Sequence, residues 1–284
     1  MTKKEPKIKI FVSHHKPWYI YEDDIFVPIQ VWKKNAKVDL WILWDDTWDN
    51  ISEKNSQYAE LTAQYWVWKN YDLSDVDYVW FCHYRRYPTY CYKTSWRNIS
   101  KSIKWIWNRV LLYKEHNYVS NFSDEILKKV SESIKQFIKN RDYHIYMPKK
   151  DIFIDPGSKI FDYYVNIHDI DMYKTSISTF LDIYPNYKKD LMCSKLSLRY
   201  NHRNMFIMDK YLFLEYSKRL FDYLFLLERN RIKNKISPKW RITERWAAIH
   251  AEVLINIFIN HLKILWKYNI SYDSNILFIK EFKK

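Results

Sequence analysis

The stretch Tyr78-Val-Trp-Phe-Cys-His-Tyr-Arg-Arg86 joins an apolar run to a charged end. Its first part, Tyr78 to Tyr84, is rich in aromatic and β-branched residues and predicts a strand. Lys7 to Ser13 and Val38 to Trp44 have the same character, and apolar residues at helical spacing occupy 56–70. The order strand, strand, helix, strand predicts an α/β fold with a central, mostly parallel sheet.

The rest of the chain is predicted to be mainly helical. We predict helices over 123–140, 173–183, 210–229 and 243–266, a short strand over Tyr143 to Met147, and a short run over Asn204 to Met208. No internal repeat and no low-complexity linker interrupts the sequence. The expected architecture is one α/β domain with a helical C-terminal portion.

Glycine is almost missing from this chain. Among 284 residues there is a single glycine, Gly157, although 19% of the residues are aromatic. A dinucleotide fingerprint needs three glycines and a P-loop needs two, because the backbone must turn sharply and approach a phosphate closely. Both motifs are therefore excluded, and a phosphorylated ligand would have to be bound by side chains.

Cysteine usage and hydropathy favour a cytoplasmic location. The three cysteines, Cys82, Cys91 and Cys193, are odd in number and lack metal-ligand spacing, which indicates a reducing compartment. No signal peptide is visible at the N-terminus. The apolar stretch from Ala247 to Trp266 is interrupted by polar residues, so it predicts an amphipathic or buried helix and not a membrane span.

The chain is strongly basic. It has 47 Lys and Arg residues against 33 Asp and Glu residues, a net charge of +14. Such an excess of positive charge indicates an acidic partner. The alternatives are nucleic acid, an anionic membrane face and a phosphorylated substrate.

Polar clusters follow each of the three predicted strands. These clusters are His14-His15-Lys16, Asp45-Asp46-Thr-Trp-Asp49-Asn50 and His83-Tyr84-Arg85-Arg86. In an open parallel sheet the ligand binds beyond the carboxyl ends of the strands, so these loops are expected to meet at one edge. Arg85, Arg86 and Lys16 are predicted to bind a diphosphate, since guanidinium groups pair well with phosphate oxygens. The alternative is that one arginine pairs with Asp45 or Asp46.

Metal binding stays open at this stage. His14, His15 and His83 are candidate metal ligands or phosphate donors, although a histidine near an apolar strand is more often structural. The carboxylate pairs Asp75/Asp77 and Asp169/Asp171 are poorly placed relative to the strand ends. No cofactor is certain, and Mg²⁺ or Mn²⁺ is the candidate.

Several segments together resemble a bacterial family of capsular and exopolysaccharide glycosyltransferases, long labelled a domain of unknown function. The main matches are Asn50-Ile-Ser-Glu-Lys-Asn55, Tyr58-Ala-Glu-Leu-Thr-Ala-Gln-Tyr-Trp-Val-Trp-Lys-Asn70 and Cys82-His-Tyr-Arg-Arg-Tyr87. Further matches are Ile10-Phe-Val-Ser-His-His-Lys-Pro17, Pro28-Ile-Gln30, Asn204-Met-Phe-Ile-Met208 and Thr243-Glu-Arg245. They occur in the expected order over nearly the whole chain, so the combination is specific even though each piece alone is not.

This resemblance implies a GT-A-like (Rossmann-like) nucleotide-sugar glycosyltransferase fold. The implied reaction is hexosyl transfer from UDP-galactofuranose or another UDP-hexose to a capsular, exopolysaccharide or lipopolysaccharide glycan, with a lipid-linked acceptor expected. Residues 1–90 would form the nucleotide-sugar half, 91–120 a basic aromatic insertion, and 121–284 the acceptor-side and helical half of one domain. Departures from the family pattern are Trp32, Pro88 and the insertion itself, and they concern the donor and acceptor more than the reaction class.

The site residues are assigned on the same basis. Glu244 is the first candidate for the catalytic base, and its alternative is a helix-stabilising acid with Thr243 as the cap. Glu60 is the reserve candidate, with Asp45, Asp46 and Asp49 behind it. The donor and diphosphate set is His14, His15, Lys16, Gln30, Asn50, Tyr65, Lys69, His83, Tyr84, Arg85 and Arg86. The acceptor-side set is His168, Asn204, Arg241 and Arg245.

A basic and aromatic segment extends from Trp96 to Lys114. Its cations, Arg97, Lys101, Lys104, Arg109 and Lys114, alternate with tryptophans and aliphatic residues, and the segment has no acid. A short helix of this kind would lie on an anionic bilayer, which suits a peripheral enzyme at the inner membrane face. Its alternative is a helix packed on the sheet with a solvated basic edge. The charge also leaves a non-catalytic nucleic-acid-binding module or an assembly scaffold as rival functions.

Overall fold

The computed structural model is a mixed α/β fold. It describes residues 4–91, 103–106, 109–112, 117–119, 123–148, 151–154, 170–196, 199–200, 204–236, 243–265 and 267–279. The strands are β1 (Ile8–His14), β2 (Phe26–Gln30), β3 (Leu43–Trp44), β4 (Tyr78–His83), β5 (Arg86–Thr89), β6 (Ile103–Ile106), β7 (Arg109–Leu112), β8 (Asn117–Val119), β9 (Ile145–Pro148), β10 (Asp151–Ile154), β11 (Arg199–Tyr200), β12 (Ile207–Asp209) and β13 (Ile270–Ile279). The helices are α1 (Asn55–Tyr58), α2 (Leu61–Asn70), α3 (Asp124–Lys139), α4 (Ile170–Ile183), α5 (Lys188–Lys195), α6 (Lys210–Lys233) and α7 (Trp246–Ile264).

A nine-stranded sheet forms the centre of the molecule, in the order β12-β9-β13-β5-β4-β1-β2-β3 with β8 beside β13. Strand β1 pairs in parallel with β2 and with β4, and β2 pairs in parallel with β3. Ile10, Phe11 and Val12 have no exposed surface, as expected of a strand covered on both faces. The predicted α/β fold with its central, mostly parallel sheet is confirmed.

Helices cover both faces of this sheet. On one face Phe81 of β4 stacks on Phe213 of α6, with ring centroids 5.7 Å apart. Residues alternate between faces along a strand, so His14 and Tyr84 lie on the opposite face from Phe81. Helix α3 approaches the sheet at β5, where the ring of Phe137 stacks on Tyr90 at 3.8 Å. The core therefore has a layer on each side of the sheet.

The helix predicted over 56–70 is interrupted at Ala59. Ala59 has φ 49° and ψ −129°, which ends α1, and α2 begins two residues later. The side chain of Asn55 donates to the carbonyl of Ala59 at 2.7 Å and stabilises the break. The interruption changes the direction of the chain at Glu60, which becomes the residue that precedes α2.

The strand predicted over Val38 to Trp44 is wrong except for its last two residues. Only Leu43–Trp44 is extended in the sheet, and Phe26–Gln30 lies between it and β1. Trp41 has φ 55°, which no strand accommodates. The side chain of Gln30 instead accepts a hydrogen bond from the Leu40 amide and donates one to the Val38 carbonyl.

The basic segment 96–114 also differs from its prediction. Where it is described, it forms strands β6 and β7, which pair antiparallel, instead of a helix. These strands belong to a second sheet in the order β11-β10-β7-β6. β-Branched and aromatic residues at Ile103, Trp105 and Val110 favour extended structure, which explains the difference. The other residues of the segment lie outside the described part of the chain.

The helices predicted in the second half are confirmed, with ends shifted by a few residues. Helix α7 is the one helix in the described ranges that is long and apolar enough to span a bilayer by composition, and 61% of its apolar window is buried in the fold. Strand β13 was not predicted, and it pairs with β5, β8 and β9. One sheet thus includes strands from both ends of the sequence. The division of the domain into residues 1–90, 91–120 and 121–284 stays a prediction.

Helix α6 ends in a left-handed residue that is not glycine. Lys235 has φ 55°. Its amide donates to Ile232, and the amide of Ile236 donates to Arg231, which is the Schellman arrangement. Glycine is the usual residue at this position because it has no Cβ to clash.

We expect Lys235→Gly to stabilise the fold by about 1 kcal/mol, because the left-handed conformation costs a side-chain-bearing residue about that much. Thermal unfolding should shift upwards by about 2 °C. Lys233→Gly, inside the last turn of α6, is the matched control and should destabilise by about 1 kcal/mol. An equal loss of stability in both variants would contradict this explanation.

Candidate active site

The carboxyl ends of the first strands meet at one edge of the sheet. His14, Gln30 and Trp44 end neighbouring parallel strands, with His14 paired to Gln30 and Gln30 to Trp44. His83 ends β4 and pairs with Ser13. The predicted convergence of the strand-end loops is confirmed.

A small pocket opens at the end of β4. Its volume is about 40 Å³, and its lining residues are Glu60, Phe81, Cys82, His83, Arg86, Asn204 and Met205. Three separate parts of the chain meet there: the end of β4 with the start of β5, the junction of α1 and α2, and the segment before β12. The pocket thus brings together four of the predicted site residues, which are Glu60, His83, Arg86 and Asn204.

Glu60 and Asn204 form the polar centre of this pocket. The Asn204 amide donates to Glu60 Oε1 at 3.0 Å and to the carbonyl of Ala248 at 3.2 Å. Asn204 is buried and has φ 48°, a conformation that asparagine tolerates better than most residues. Its position is therefore fixed by the backbone and by α7, and it orients the carboxylate.

The pKa of Glu60 lies above its ordinary value. Burial is the main cause and the negative charge of Glu252 adds to it, whereas the hydrogen bond from Asn204 and the charge of Arg86 act in the opposite direction. A carboxylate whose pKa is raised in this way is a better proton acceptor near neutral pH than an exposed glutamate.

Two histidines at this edge of the sheet are neutral. Burial lowers the pKa of His83 to about 3, with further contributions from Arg86, His15 and Arg85. Burial likewise lowers the pKa of His14 to about 4. Within the described residues, the two ring nitrogens of His14 have no hydrogen-bond partner. The Nδ1 of His83 has none among these residues either. These rings pack against Tyr84, with centroids 5.6 Å and 4.2 Å from it.

Binding of a diphosphate anion should raise the pKa of His83. The arginines beside this imidazole help to keep it uncharged, and an anion bound between them would reverse that field. Imidazole resonances followed by NMR from pH 3 to pH 8 should titrate at higher pH with a nucleoside diphosphate than without it. His144, which hydrogen-bonds to Asn269 far from the pocket, provides the internal control. An unchanged His83 titration at saturating nucleotide would contradict a diphosphate site here.

Exposed cations extend from the pocket across the edge. The Arg85 guanidinium lies 5.9 Å from the Trp18 ring and 5.6 Å from the Tyr84 ring, and Lys16 Nζ lies 5.9 Å from Trp18. In the part of the chain that the structure describes, no carboxylate forms an ion pair with Arg85. Arg245 is close enough to help lower the pKa of His15. The edge is therefore electropositive.

The alternative pairing of an arginine with Asp45 is not formed. Asp45 is fully buried and accepts hydrogen bonds from Ser52 Oγ at 2.6 Å and from the amides of Trp32 and Lys33. Its carboxylate is used to fix the loop after β2. Asp45 is consequently a structural residue and not a reserve base.

Four of the predicted donor residues that do not line the pocket are held by contacts elsewhere. Both groups of the Gln30 amide bind the backbone of the loop after β2, as described above. Asn50 binds the carbonyl of Trp48 and the amide of Ser52. Tyr65 packs on Phe221 and donates to Asp49 at 2.8 Å. Lys69 Nζ lies 3.8 Å from Asp49 and 4.2 Å from the Trp68 ring. Local contacts thus account for Gln30, Asn50, Tyr65 and Lys69.

The remaining predicted residues are placed as follows. Glu244 and Arg245 are exposed in the turn Thr243–Arg245, and Glu244 does not line the pocket. The residue that precedes α7 is Arg245, so the proposed cap at Thr243 is two residues too early. His168 and Arg241 lie outside the described residues. Sequence reasoning missed Phe81, Cys82 and Met205 as lining residues, because buried apolar side chains and a buried thiol have no polar signature.

No metal cluster accompanies this site in the described ranges, where no group of three or more His, Cys, Asp or Glu side chains is arranged to hold an ion. Asp75 forms an ion pair with Lys7, and Asp77 accepts a hydrogen bond from the Lys7 amide at 2.8 Å. Both lie at the amino end of the sheet. Asp171 lies at the start of α4, and Asp169 is outside the described residues.

Comparison with known proteins identifies the family. The sequence profile of a family described as a domain of unknown function, DUF4422, matches residues 9–263. The chain belongs to this family. The DUF4422 chain is also similar to the solved apo structure of the bifunctional glycosyltransferase WbbM, with a TM-score of 0.81 and 30% sequence identity. That likeness covers 97% of this chain and 46% of the WbbM chain, so the chain spans about half of WbbM. No curated protein matches the sequence.

Proposed function

We propose that this chain is a glycosyltransferase that moves a hexose from a nucleotide-diphosphate sugar to a growing surface glycan. The observation that carries the proposal is the pocket at the end of β4, where Asn204 holds the Glu60 carboxylate beside His83 and Arg86. An acid with a raised pKa beside fixed positive charge is the combination that sugar transfer from a diphosphate needs. The likeness to WbbM supports the same reaction class.

Side chains bind the donor diphosphate in this proposal. Negative charge builds on the leaving nucleoside diphosphate as its bond to the sugar breaks, and preorganised cations stabilise that charge. Arg85 and Arg86 would contact the phosphate oxygens, with Lys16 beside them. Neutral His83 would donate a hydrogen bond. The single glycine of the chain is consistent with binding by side chains instead of a backbone loop.

Glu60 acts as the base in an inverting transfer. The acceptor hydroxyl oxygen forms a bond to the anomeric carbon, the bond from that carbon to the diphosphate oxygen breaks, and the hydroxyl proton moves to the Glu60 carboxylate. Both electrons of the broken bond leave with the diphosphate. Asn204 is a positioning residue here, because its hydrogen bond orients the carboxylate without contacting the reacting atoms.

UDP-galactofuranose or another UDP-hexose is the proposed donor, and Mg²⁺ or Mn²⁺ the proposed cofactor if one is needed. The test is release of nucleoside diphosphate across a panel of nucleotide sugars, with and without EDTA. Release with one donor supports the enzyme. No release with any donor would favour the alternative, a non-catalytic basic binding module.

The proposed acceptor is lipid-linked, and the proposed location is the inner membrane face. The basic segment 96–114 supports this through its charge. Co-sedimentation with anionic vesicles should occur and should fall at high salt. Absence of binding at low salt would overturn the membrane contact without affecting the reaction class.

A further inference from the structure

Four exposed tryptophans lie in the segment that follows β2 and includes β3. Trp32, Trp41, Trp44 and Trp48 have exposed fractions of 41%, 86%, 38% and 78%, and they all lie between the end of β2 and the start of α1. We call these four side chains the tryptophan surface. Exposed large apolar side chains on a soluble protein usually occur singly, so four exposed tryptophans in one segment indicate a binding role.

Three of these tryptophans have an unfavourable backbone conformation. Trp32, Trp41 and Trp48 have φ values of 62°, 55° and 48°. A bulky residue in this left-handed region costs about 1–2 kcal/mol relative to the right-handed one. Strain of this kind persists where function needs the side chain in that place.

Buried side chains fix the backbone of the loop that carries the tryptophan surface. Buried Asp45 binds the amides of Trp32 and Lys33, and buried Gln30 binds both the Val38 carbonyl and the Leu40 amide. The Trp48 ring stacks on Trp66 of α2 with centroids 6.1 Å apart. Such a surface loses little conformational freedom when a ligand binds, which favours recognition.

Charge argues for an uncharged partner. The chain as a whole has a net charge of +14, yet residues 32–49 contain three lysines and four aspartates. One of these lysines, Lys33, is already paired with Asp39 at 2.7 Å. An anionic bilayer or a nucleic acid would bind where cations are in excess, and the tryptophan surface lacks that excess.

The position of the surface fits a long acceptor. Strand β3 is the third strand from β4 across the sheet. At the usual spacing between strands, β3, which ends in Trp44, therefore lies about 14 Å from β4, whose end lines the pocket. A sugar ring has an apolar face of C–H groups that stacks on indole and a rim of hydroxyls that binds carboxylates and amides.

We infer that the tryptophan surface binds the sugar rings of the acceptor glycan at residues remote from the transferred sugar. The inference rests on the proposed function. It assigns a binding role to a loop that departs from the family pattern at Trp32, and it predicts that a longer acceptor binds more tightly than a short one.

Two variants test this inference without endangering the fold. Asparagine tolerates positive φ, so Trp41→Asn should keep or slightly raise the melting temperature. In Trp48→Asn the same gain offsets the lost stack on Trp66, so its melting temperature should change little. Their affinity for the glycan should nevertheless fall by about five- to tenfold each, the loss expected from one aromatic stack. The control is Tyr211→Ala. Tyr211 is 76% exposed, but it follows Asp209, which pairs with the first residue of β4 at the opposite edge.

The probe is the surface polysaccharide of the strain that carries the gene, cut to oligosaccharides and titrated by calorimetry against the intact chain. Weaker binding by both tryptophan variants and unchanged binding by Tyr211→Ala supports the inference. Equal binding by all variants, or no binding by the unaltered chain, overturns it. Binding to neutral or anionic vesicles or self-association through these tryptophans, without glycan binding, also overturns it.

Donor turnover by the unaltered chain is measured separately. Nucleoside diphosphate release without tryptophan-dependent glycan binding would leave the proposed function standing and remove only the inference. Tryptophan-dependent glycan binding without any nucleoside diphosphate release would show a glycan-binding protein and remove the proposed function.

Discussion

Replacing Glu60 by glutamine should lower turnover by about 10²- to 10⁴-fold, the range that a general base contributes. Glutamine has the same shape and still accepts a hydrogen bond from Asn204, so the pocket should stay intact. It cannot accept the acceptor proton. Donor affinity, measured by calorimetry with a nucleoside diphosphate, should change little because the cations that hold the diphosphate are unaltered.

The exposed acid Glu244 provides the matched control. We expect Glu244→Gln to keep most of the activity, since Glu244 does not line the pocket. The reverse result, with Glu244→Gln inactive and Glu60→Gln active, would transfer the base to the turn before α7 and refute our assignment.

The pH dependence separates a catalytic Glu60 from a structural one. Its pKa is raised, so its carboxylate is protonated and inactive as a base below that raised value. Activity should therefore fall as the pH falls, with a midpoint above the ordinary glutamate value of 4.5. Residual activity of Glu60→Gln should lack this acidic limb. A wild-type rate that stays flat through the acidic range, while the protein is folded, would count against the base.

Arg85→Ala should weaken binding of the nucleoside diphosphate by about 10- to 100-fold. A hydrogen bond to a charged group contributes about 1.5–3 kcal/mol, and each 1.4 kcal/mol is a factor of ten. Arg85 is exposed and packs only on Trp18 and Tyr84 among the described contacts, so its removal should not unfold the protein. Arg85→Lys should be intermediate, because lysine keeps the charge but loses the two parallel hydrogen bonds.

Lys218→Ala removes an equal charge on α6, where Lys218 is exposed and paired with Asp222. It should leave nucleotide affinity unchanged, which shows that net charge alone is not responsible. Loss of affinity in Lys218→Ala equal to that in Arg85→Ala would instead indicate nonspecific attraction to a basic protein.

The spacing of apolar residues along the sequence predicted the strands and helices whose apolar side chains are buried in the core. Strands β1 and β4 are mostly apolar because they lie at the centre of the sheet, and α3 and α6 have clear apolar stripes. Strand β5 escaped prediction because it is short and contains Pro88, and β13 because it depends on pairing with distant strands. The left-handed residues Trp41 and Ala59 interrupt segments that look regular, since propensity does not show positive φ in tryptophan or alanine.

The sequence by itself determined the cationic edge of this protein. With one glycine in the chain, a phosphorylated ligand would have to be bound by side chains, and the parallel strands β1 and β4 bring His14, His83 and the arginine pair to the same end of the sheet. Only the tertiary structure decided which acid joins them. Glu60 binds Asn204, a residue 144 positions away, because the chain turns at Ala59. Gln30 and Asp45 do not join the site because they are buried and hydrogen-bond to the loop backbone. Burial and long-range hydrogen bonds are properties of the folded chain, so residue type and spacing alone do not reveal them.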